Sequence, residues 1–474
     1  MNNVNKQTDR EAFFGTLPVM RPDRLYGFID ALLVLSGYCI ATWSYTQGAY
    51  LATLVGFKQL LIGAFFGALL MLIIYQLPVI LSVRYGIDIW IWLRAVFGGK
   101  GIVLMTVVII VINYPWYAVC ADLFASSMSN MAAVFGITLP EGAHTWLAIL
   151  CVVIGTLIAY RGLGAITHTT RVLVPLLLIL GAVVVFIGFT SVPFEAIWDY
   201  RPVRPDGEPD IIPYIVSVEA NFAFVITLVG GMAEVPRLCK TERSGYWAGV
   251  LGQGIAGSFF VVVGSVMAIA AQYATGEATE DPTVMLALFS VPVVSLSSLL
   301  LVAFANIGTQ AVGSYIYGVM LKSSFRRVSY RVLIVILGAY VVLLCIWGKI
   351  VEYFGSFLTV SACIYAPLAA LLFTDFFIVR RQKFSIRAAF GMKGHDAYRY
   401  TGGFNIVGLL CVAAGVAMSL AVYDPISGEI HCMPLFYLTP TGFSFIGTAV
   451  LYYVLSLIPP VRRYIFKDRN DITV

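Results

Sequence analysis

The chain has 474 residues, of which 60% are hydrophobic and only 12% charged, with a net charge of +5 at neutral pH. Soluble domains carry about 25% charged residues, so a water-soluble fold is excluded and a polytopic membrane protein remains. The small positive charge calls for no nucleic-acid partner, because membrane topology accounts for it below.

Residues 1–26 form a polar arm holding Lys6, Arg10, Arg21 and Arg24, with no apolar core of the kind a cleavable signal peptide needs. Twelve apolar spans follow, at about 27–50, 60–83, 101–131, 144–160, 168–189, 212–236, 246–272, 287–320, 330–347, 352–378, 403–423 and 442–464. All but four of the 30 Lys and Arg residues then fall on one side, the exceptions being Lys58, Arg201, Arg204 and Lys349. Basic residues accumulate in cytoplasmic loops, so both termini are expected in the cytoplasm, and a multi-pass protein of a bacterial inner membrane is the expected setting. The eight cysteines are scattered, and His144, His168, His395 and His431 are far apart. No disulfide framework, metal spacing or cofactor motif emerges, and the reading includes no obligate protein partner.

In chain order, span one is interrupted by Thr42, Trp43, Ser44 and Gln47, a polar and aromatic stretch expected to form one wall of a substrate site, with Trp43 as plain packing the alternative. The segment Arg84 to Arg94, rich in Trp and flanked by charge, reads as interfacial or re-entrant. Span three carries Asn113-Tyr114-Pro115-Trp116, with Cys120 a further turn along. Asn113, Trp116 and Cys120 share one helix face, and the proline removes a backbone hydrogen bond. A Trp at mid-depth either stacks on a flat ligand or packs between helices; elsewhere in membrane proteins Trp favours the interfaces. Asp122, further along span three, and Glu219, in span six, are charges inside the membrane and lie at similar depth. Two carboxyls there are candidates to carry a coupling proton. Span six also holds Gly230-Gly231, then Glu234 and Arg237 one turn apart, which read either as a gate ion pair or as a solvated pair. His168 and Arg171 are candidates for the same gate. Asn306 and Gln310 in span eight share a face at i, i+4, either as amides for a ligand rim or as interhelical glue. Interrupted helices at the first and sixth positions are the sequence pointer to a secondary transporter. An enzyme lacks support, since no nucleophile–base set, metal cluster or phosphate loop is present.

Several stretches, taken in order, resemble the nucleobase:cation symporter-1 family of cytosine, purine, hydantoin and allantoin transporters. They are Arg84-Tyr85-Gly86 with Arg94 to Gly101, Trp116-Tyr117 with Cys120, and Glu234-Val235-Pro236-Arg237. Asn306 to Gln310, Asp375 to Arg381 and Tyr400 to Asn405 complete the set. The resemblance implies an all-α fold of the leucine-transporter type, with two inverted five-helix repeats and two C-terminal helices. On that scheme the repeats are 27–189 and 212–378, joined by an outer loop at 190–211. A cytoplasmic loop at 379–402, helices eleven and twelve at 403–464 and a tail at 465–474 follow. It implies ion-driven uptake of a small heterocycle. Trp116, Cys120, Asn306 and Gln310 are the expected binding residues, with Phe224 or Val225 at the family's aromatic position in helix six. The Ser-Thr pair that supplies sodium ligands in sodium-coupled members is replaced here by Phe304-Ala305. A co-transported proton is therefore expected in preference to sodium; sodium-coupled uptake of another heterocycle, a passive channel or a sensor are the alternatives.

Overall fold

The structure is a computed structural model and describes residues 17–40, 42–203, 211–228, 233–276, 284, 286 and 292–466. Gly230-Gly231, Lys6, Arg10, Arg204, the Thr42 side chain and the tail from 467 lie outside what it describes. Regular structure is helical, and the extended pairings among the described residues are two isolated bridges.

The helices are α1 Phe28–Cys39, α2 Thr42–Leu54, α3 Phe57–Tyr75, α4 Val79–Tyr85, α5 Ile89–Trp92, α6 Arg94–Asn113, α7 Trp116–Val134, α8 Ala143–Arg161 and α9 Leu163–Ser191. They continue with α10 Phe194–Trp198, α11 Ile211–Ile226, α12 Glu242–Thr275, α13 Pro292–Ser324, α14 Tyr330–Trp347, α15 Phe354–Phe373, α16 Ile406–Leu420, α17 Pro440–Leu457 and α18 Pro459–Ile465. Among the described residues nine helices are long and apolar enough to cross a bilayer, ten when the bent pair α1–α2 counts as one span, and α11 and α16 are shorter apolar helices. Together these occupy the twelve spans read from the sequence.

Three details differ from the sequence reading. Span three is two helices, α6 and α7, divided at Tyr114-Pro115 where the proline has no N–H to offer. The α-helix of span six, α11, ends at Ile226. The Trp-rich segment at 84–94 is not interfacial: Trp90 and Trp92 are among the most deeply buried side chains, and α5 sits inside the protein. Asp88 starts α5 by accepting from Ile91 N at 2.7 Å, a side-chain cap.

Packing depends on close approach of backbones. A Cβ on Gly48 of α2 would lie 1.9 Å from Val261 O of α12, and one on Gly264 would lie 2.1 Å from Tyr45 O. Only glycine permits this contact, the small-residue packing by which helices associate inside a bilayer. Both α3 and α12 contain π-helical turns, at Gly63–Gly67 and Val250–Ala256. The two helices are tied there: Ser258 Oγ donates to Ala64 O, and Gln76 donates to Gln253.

The stretches that carried the family resemblance near 94–101, 375–381 and 400–405 meet in one buried lock. Arg380 Nε donates to Asp375 Oδ2 at 2.8 Å, with both side chains nearly inaccessible. Tyr452 of α17 donates its hydroxyl to Asp375 Oδ1 at 2.7 Å. Tyr400 donates to Ala95 O at 2.7 Å, and Asn405 N donates to Phe97 O at 2.8 Å. Gly98 has a left-handed φ of 79°, and a Cβ there would meet Gly403 O at 2.5 Å. These motif residues therefore fasten α6, the chain after α15, and α17 together. Asp375→Ala strands a buried guanidinium and should destabilise the fold by about 3–5 kcal/mol. The check is the thermal midpoint in detergent, which should fall well below that of the unaltered protein.

Candidate functional site

A helix broken inside a bilayer exposes carbonyls that water cannot reach, so side chains must take them. The α1–α2 pair bends by 56°. Ser44 Oγ closes that break by donating to Cys39 O at 2.6 Å. At the end of α11, Tyr75 OH donates to Ile226 O at 2.7 Å, and Asn113 Nδ2 donates to Thr227 O at 3.3 Å. Asn113 also donates to the Tyr317 hydroxyl of α13. Ser44, expected in the wall of the binding site, bonds the interrupted backbone and is not among the cavity's lining residues.

Between the two breaks lies a cavity lined by Tyr38, Trp43, Asn113, Trp116, Tyr117, Phe224, Thr227 and Leu228. Its rings form a box. Trp43 and Trp116 meet edge-to-face at 5.3 Å, Trp43 and Tyr117 at 6.0 Å, and Trp116 and Phe224 at 6.3 Å. Phe357 of α15 closes on the other edge of Trp116 at 5.1 Å. Edge-to-face contacts leave ring faces to a flat guest. The cavity measures ≈ 10 Å³, about one water, so the rings have collapsed onto one another and must part to admit anything larger. Trp43 Nε1 and Asn113 Oδ1 are buried and have no hydrogen-bond partner among the described residues. A buried unpaired donor and acceptor each cost about 1–3 kcal/mol.

Of the residues chosen from the sequence, the structure brings Trp43, Trp116 and Phe224 together around this cavity. Phe224 lines it, and Val225 is buried beside it. Gln47 is buried on α2 with both amide atoms unpaired among the described residues. Cys120, one turn beyond Trp116, is buried and lies electrostatically close to Cys151 of α8. Asn306 and Gln310 are buried on α13 but are not among the cavity's lining residues. The stem of Gln310 fills a notch in α8, where a Cβ on Gly155 would meet Gln310 Cγ at 2.4 Å. The amide at the cavity is instead Asn113, whose neighbours Tyr38, Tyr117 and Thr227 were not chosen from sequence. Their signal was weak, because Tyr and Thr in apolar runs read as packing. Phe304 is half exposed on the outer face of α13, so its side chain does not face the break between α1 and α2.

Asp122 and Glu219 have separate surroundings. Asp122 Oδ1 lies 3.8 Å from His144 Nδ1 at a partly exposed position. Glu219 is buried and accepts from Thr441 N at 3.0 Å and Thr441 Oγ1 at 2.6 Å, in the first turn of α17. Thr441 thus supplies a donor to each carboxyl oxygen of Glu219 and ties α11 to α17.

Glu234 and Arg237 are not a solvated pair: both are fully buried. Arg237 Nε donates to the Glu234 carbonyl at 3.2 Å. A third charge joins them. Asp88, also buried, acts electrostatically on Glu234 together with Arg237. Burial pushes the Asp88 carboxyl up to about 6, against the attraction of Arg237 and Arg94. His168 is exposed, and Arg171 pairs with Asp30 at 2.7 Å at the foot of α1.

Two predictions follow from this geometry. A Cβ on Gly313 of α13 would collide with the Tyr117 ring at 1.9 Å, so Gly313→Ala should displace Tyr117 and weaken ligand binding at least about tenfold, read by equilibrium binding on protein that still folds. The folded chain holds the Asp88 proton over a pH window where the unfolded chain has released it. The stability from this group is therefore full below the ordinary value of 3.8 and falls as pH rises through about 6. Asp88→Asn keeps the cap on α5 and should flatten the thermal midpoint across that window.

The chain matches the family described as permease for cytosine/purines, uracil, thiamine, allantoin over residues 18–440. A hydantoin permease of Microbacterium maritypicum is 34% identical over 104 residues, a stretch that spans 22% of this chain and only 21% of that protein. Among solved structures, Mhp1, a nucleobase-cation-symport-1 family transporter in a closed conformation with bromovinylhydantoin bound, superposes with a TM-score of 0.76 at 17% identity, covering 97% of each chain. Its inward-facing form gives 0.74 at 18% identity and 93% of each chain. A Na+-coupled sialic acid symporter gives 0.64 at 13% identity, over 95% of this chain and 93% of that one. The fold is therefore the leucine-transporter-like one expected, and the chain belongs to the nucleobase:cation symporter family of permeases, membrane transporters and not enzymes.

Proposed function

We propose that this protein is a symporter that concentrates a nucleobase or a closely related planar heterocycle, of the cytosine or purine kind, using a proton gradient. The observation that carries the reading is the aromatic box whose wall holds a Trp43 N–H and an Asn113 carbonyl with no partner among the described residues. A heterocyclic amide presents an acceptor and a donor side by side on a flat ring, and so complements both. Trp116 and Phe224 supply apolar faces, and Gln47, one to two turns from Trp43 on α2, offers a further amide. Asn306, Gln310 and Cys120, the other expected binding residues, are buried on α13 and α7 and do not line the cavity. The two five-helix repeats are assigned to 27–189 and 212–378, each with its first helix interrupted. The excess of basic residues supports a cytoplasmic side for both termini, in a bacterial inner membrane.

A second reading has its own support. The local likeness to a hydantoin permease and the bromovinylhydantoin bound in Mhp1 favour a hydantoin-like ring over a nucleobase. Both rings carry the same amide edge. The pair Phe304-Ala305, standing where the family resemblance expects Ser-Thr, carries no side-chain oxygen for a cation, which supports the proton as the coupling ion; the Na+-coupled structural relative makes sodium the competing choice.

The test is uptake of labelled cytosine into proteoliposomes, with purines, uracil, allantoin and hydantoins as competitors, under an imposed proton gradient and then a sodium gradient. Concentrative uptake driven by protons, with competition by flat amide heterocycles, is the expected result. Uptake driven by sodium alone would overturn the coupling assignment, and a lack of uptake or competition by every heterocycle would overturn the substrate class.

A further inference from the structure

Asp88, Glu234 and Arg237 form a buried charge cluster brought together from three places. Asp88 lies in the turn before α5, Glu234 in the non-helical turn beyond α11, and Arg237 in the short helix Pro236–Leu238. All three are at most 1% exposed. Asp88 Oδ2 and Glu234 Oε1 are buried and have no hydrogen-bond partner among the described residues. Their other oxygens are engaged only locally, Asp88 Oδ1 by Ile91 N at 2.7 Å and Glu234 Oε2 by Ala233 N at 3.2 Å. Arg237 Nε donates to the Glu234 backbone carbonyl at 3.2 Å, and its charge acts on both carboxyls.

The remaining charged and titratable neighbours are few. Tyr38, Tyr315 and Tyr317 feel the charge of Glu234. Arg94 and Arg326 act on Asp88. Both of these arginines are committed elsewhere: Arg94 donates to Ala389 O at 3.0 Å and to Ser323 O at 2.5 Å, and Arg326 donates to Phe390 O at 3.3 Å. The innermost set is therefore two acids against one guanidinium, each acid with an oxygen no donor reaches. A dry site tolerates such an excess charge poorly, and one proton removes it.

The position gives that proton a task. Tyr38 lines the aromatic cavity and also feels Glu234. On the far side, the chain just beyond Arg237 is bound to the segment before α1 by Tyr26 N donating to Leu238 O at 3.0 Å and Lys240 N donating to Tyr26 O at 3.0 Å. Glu242, a few residues on, pairs with Arg84 at 2.9 Å at a partly exposed site. The cluster is thus linked through Tyr38 to the cavity, and through the chain after Arg237 to the partly exposed Arg84–Glu242 pair. We propose that the Asp88–Glu234–Arg237 cluster holds one exchangeable proton when the permease is closed on the Arg84–Glu242 side, and releases it when that side opens to water. Binding transfers the proton from water to one carboxylate oxygen, and opening returns it to water, with no other bond changed. Asp122 is partly open to water and Glu219 has donors on both oxygens; among the described residues the cluster alone combines burial with unsatisfied carboxylate oxygens. The inference rests on the proton-coupled reading above and deepens it.

The test is infrared titration of the full-length protein in lipid vesicles, following the carboxylic-acid C=O band as pH is stepped, at constant sodium and then at constant pH with sodium varied. The proposal expects a pH-titrating protonated-carboxyl band that Asp88→Asn or Glu234→Gln removes, with Glu234→Asp restoring it. A band unchanged in both amide variants, no such band in the unaltered protein, or a signal that follows sodium and not pH would overturn it. The variants should retain heterocycle binding and downhill exchange while losing at least about tenfold in proton-driven accumulation; accumulation kept by both would also overturn it. Should the unaltered protein bind no heterocycle, the substrate reading fails, yet the titration still decides whether the proton is there.

Discussion

A bilayer core offers no water to an exposed carbonyl, and that constraint organises this molecule. Two helices stop midway, at Cys39 and at Ile226, and each leaves backbone groups that must be bonded from the side. Ser44, Tyr75 and Asn113 do this work. Once those partners are fixed, the neighbouring residues of the two broken helices, Tyr38, Trp43, Phe224 and Thr227, are brought to one place. The cavity follows from the breaks, and the breaks are tolerable because α3, α6 and α13 supply their donors and the hydroxyl that holds Asn113.

The surrounding helices form the frame that makes such breaks stable. Gly48 against α12 and Gly264 against α2 bring backbones into contact, while Gly313 makes room for the Tyr117 ring. The Asp375–Arg380–Tyr452 lock holds the chain after α15 to α17 and, through Ala95, to α6. Glu219 ties α11 to the first turn of α17. Each tie is buried, polar and between elements distant in sequence, which specifies one register where apolar packing alone would allow several.

The number and positions of the spans were legible from hydropathy, because the length of an apolar helix follows from the bilayer itself. Trp43, Trp116 and Phe224 were legible as ring-bearing positions near helix breaks. Other features were not, since they depend on which faces meet. Whether Asn113 or the Asn306–Gln310 pair would face the cavity turns on helix rotation, which one sequence does not encode locally. Asp88 passed as a residue of an interfacial segment, because the burial of α5 comes from helices far away in the chain. The spacing of Glu234 and Arg237 suits a surface pair equally well, and only tertiary packing shows them fully enclosed. The family motifs around Ala95, Asp375 and Tyr400 carried recognition but no physical meaning until the lock joined them.

The central claim is that the box between the two broken helices takes a flat heterocycle by its ring faces and its amide edge. Isothermal titration of the purified permease with cytosine, a purine and a hydantoin, beside Asn113→Ala and Trp43→Leu, tests it most directly. The account predicts saturable binding of at least one of these rings by the unaltered protein, weakened about tenfold or more in each variant. Binding of equal strength in all three proteins would place the substrate elsewhere and contradict the account.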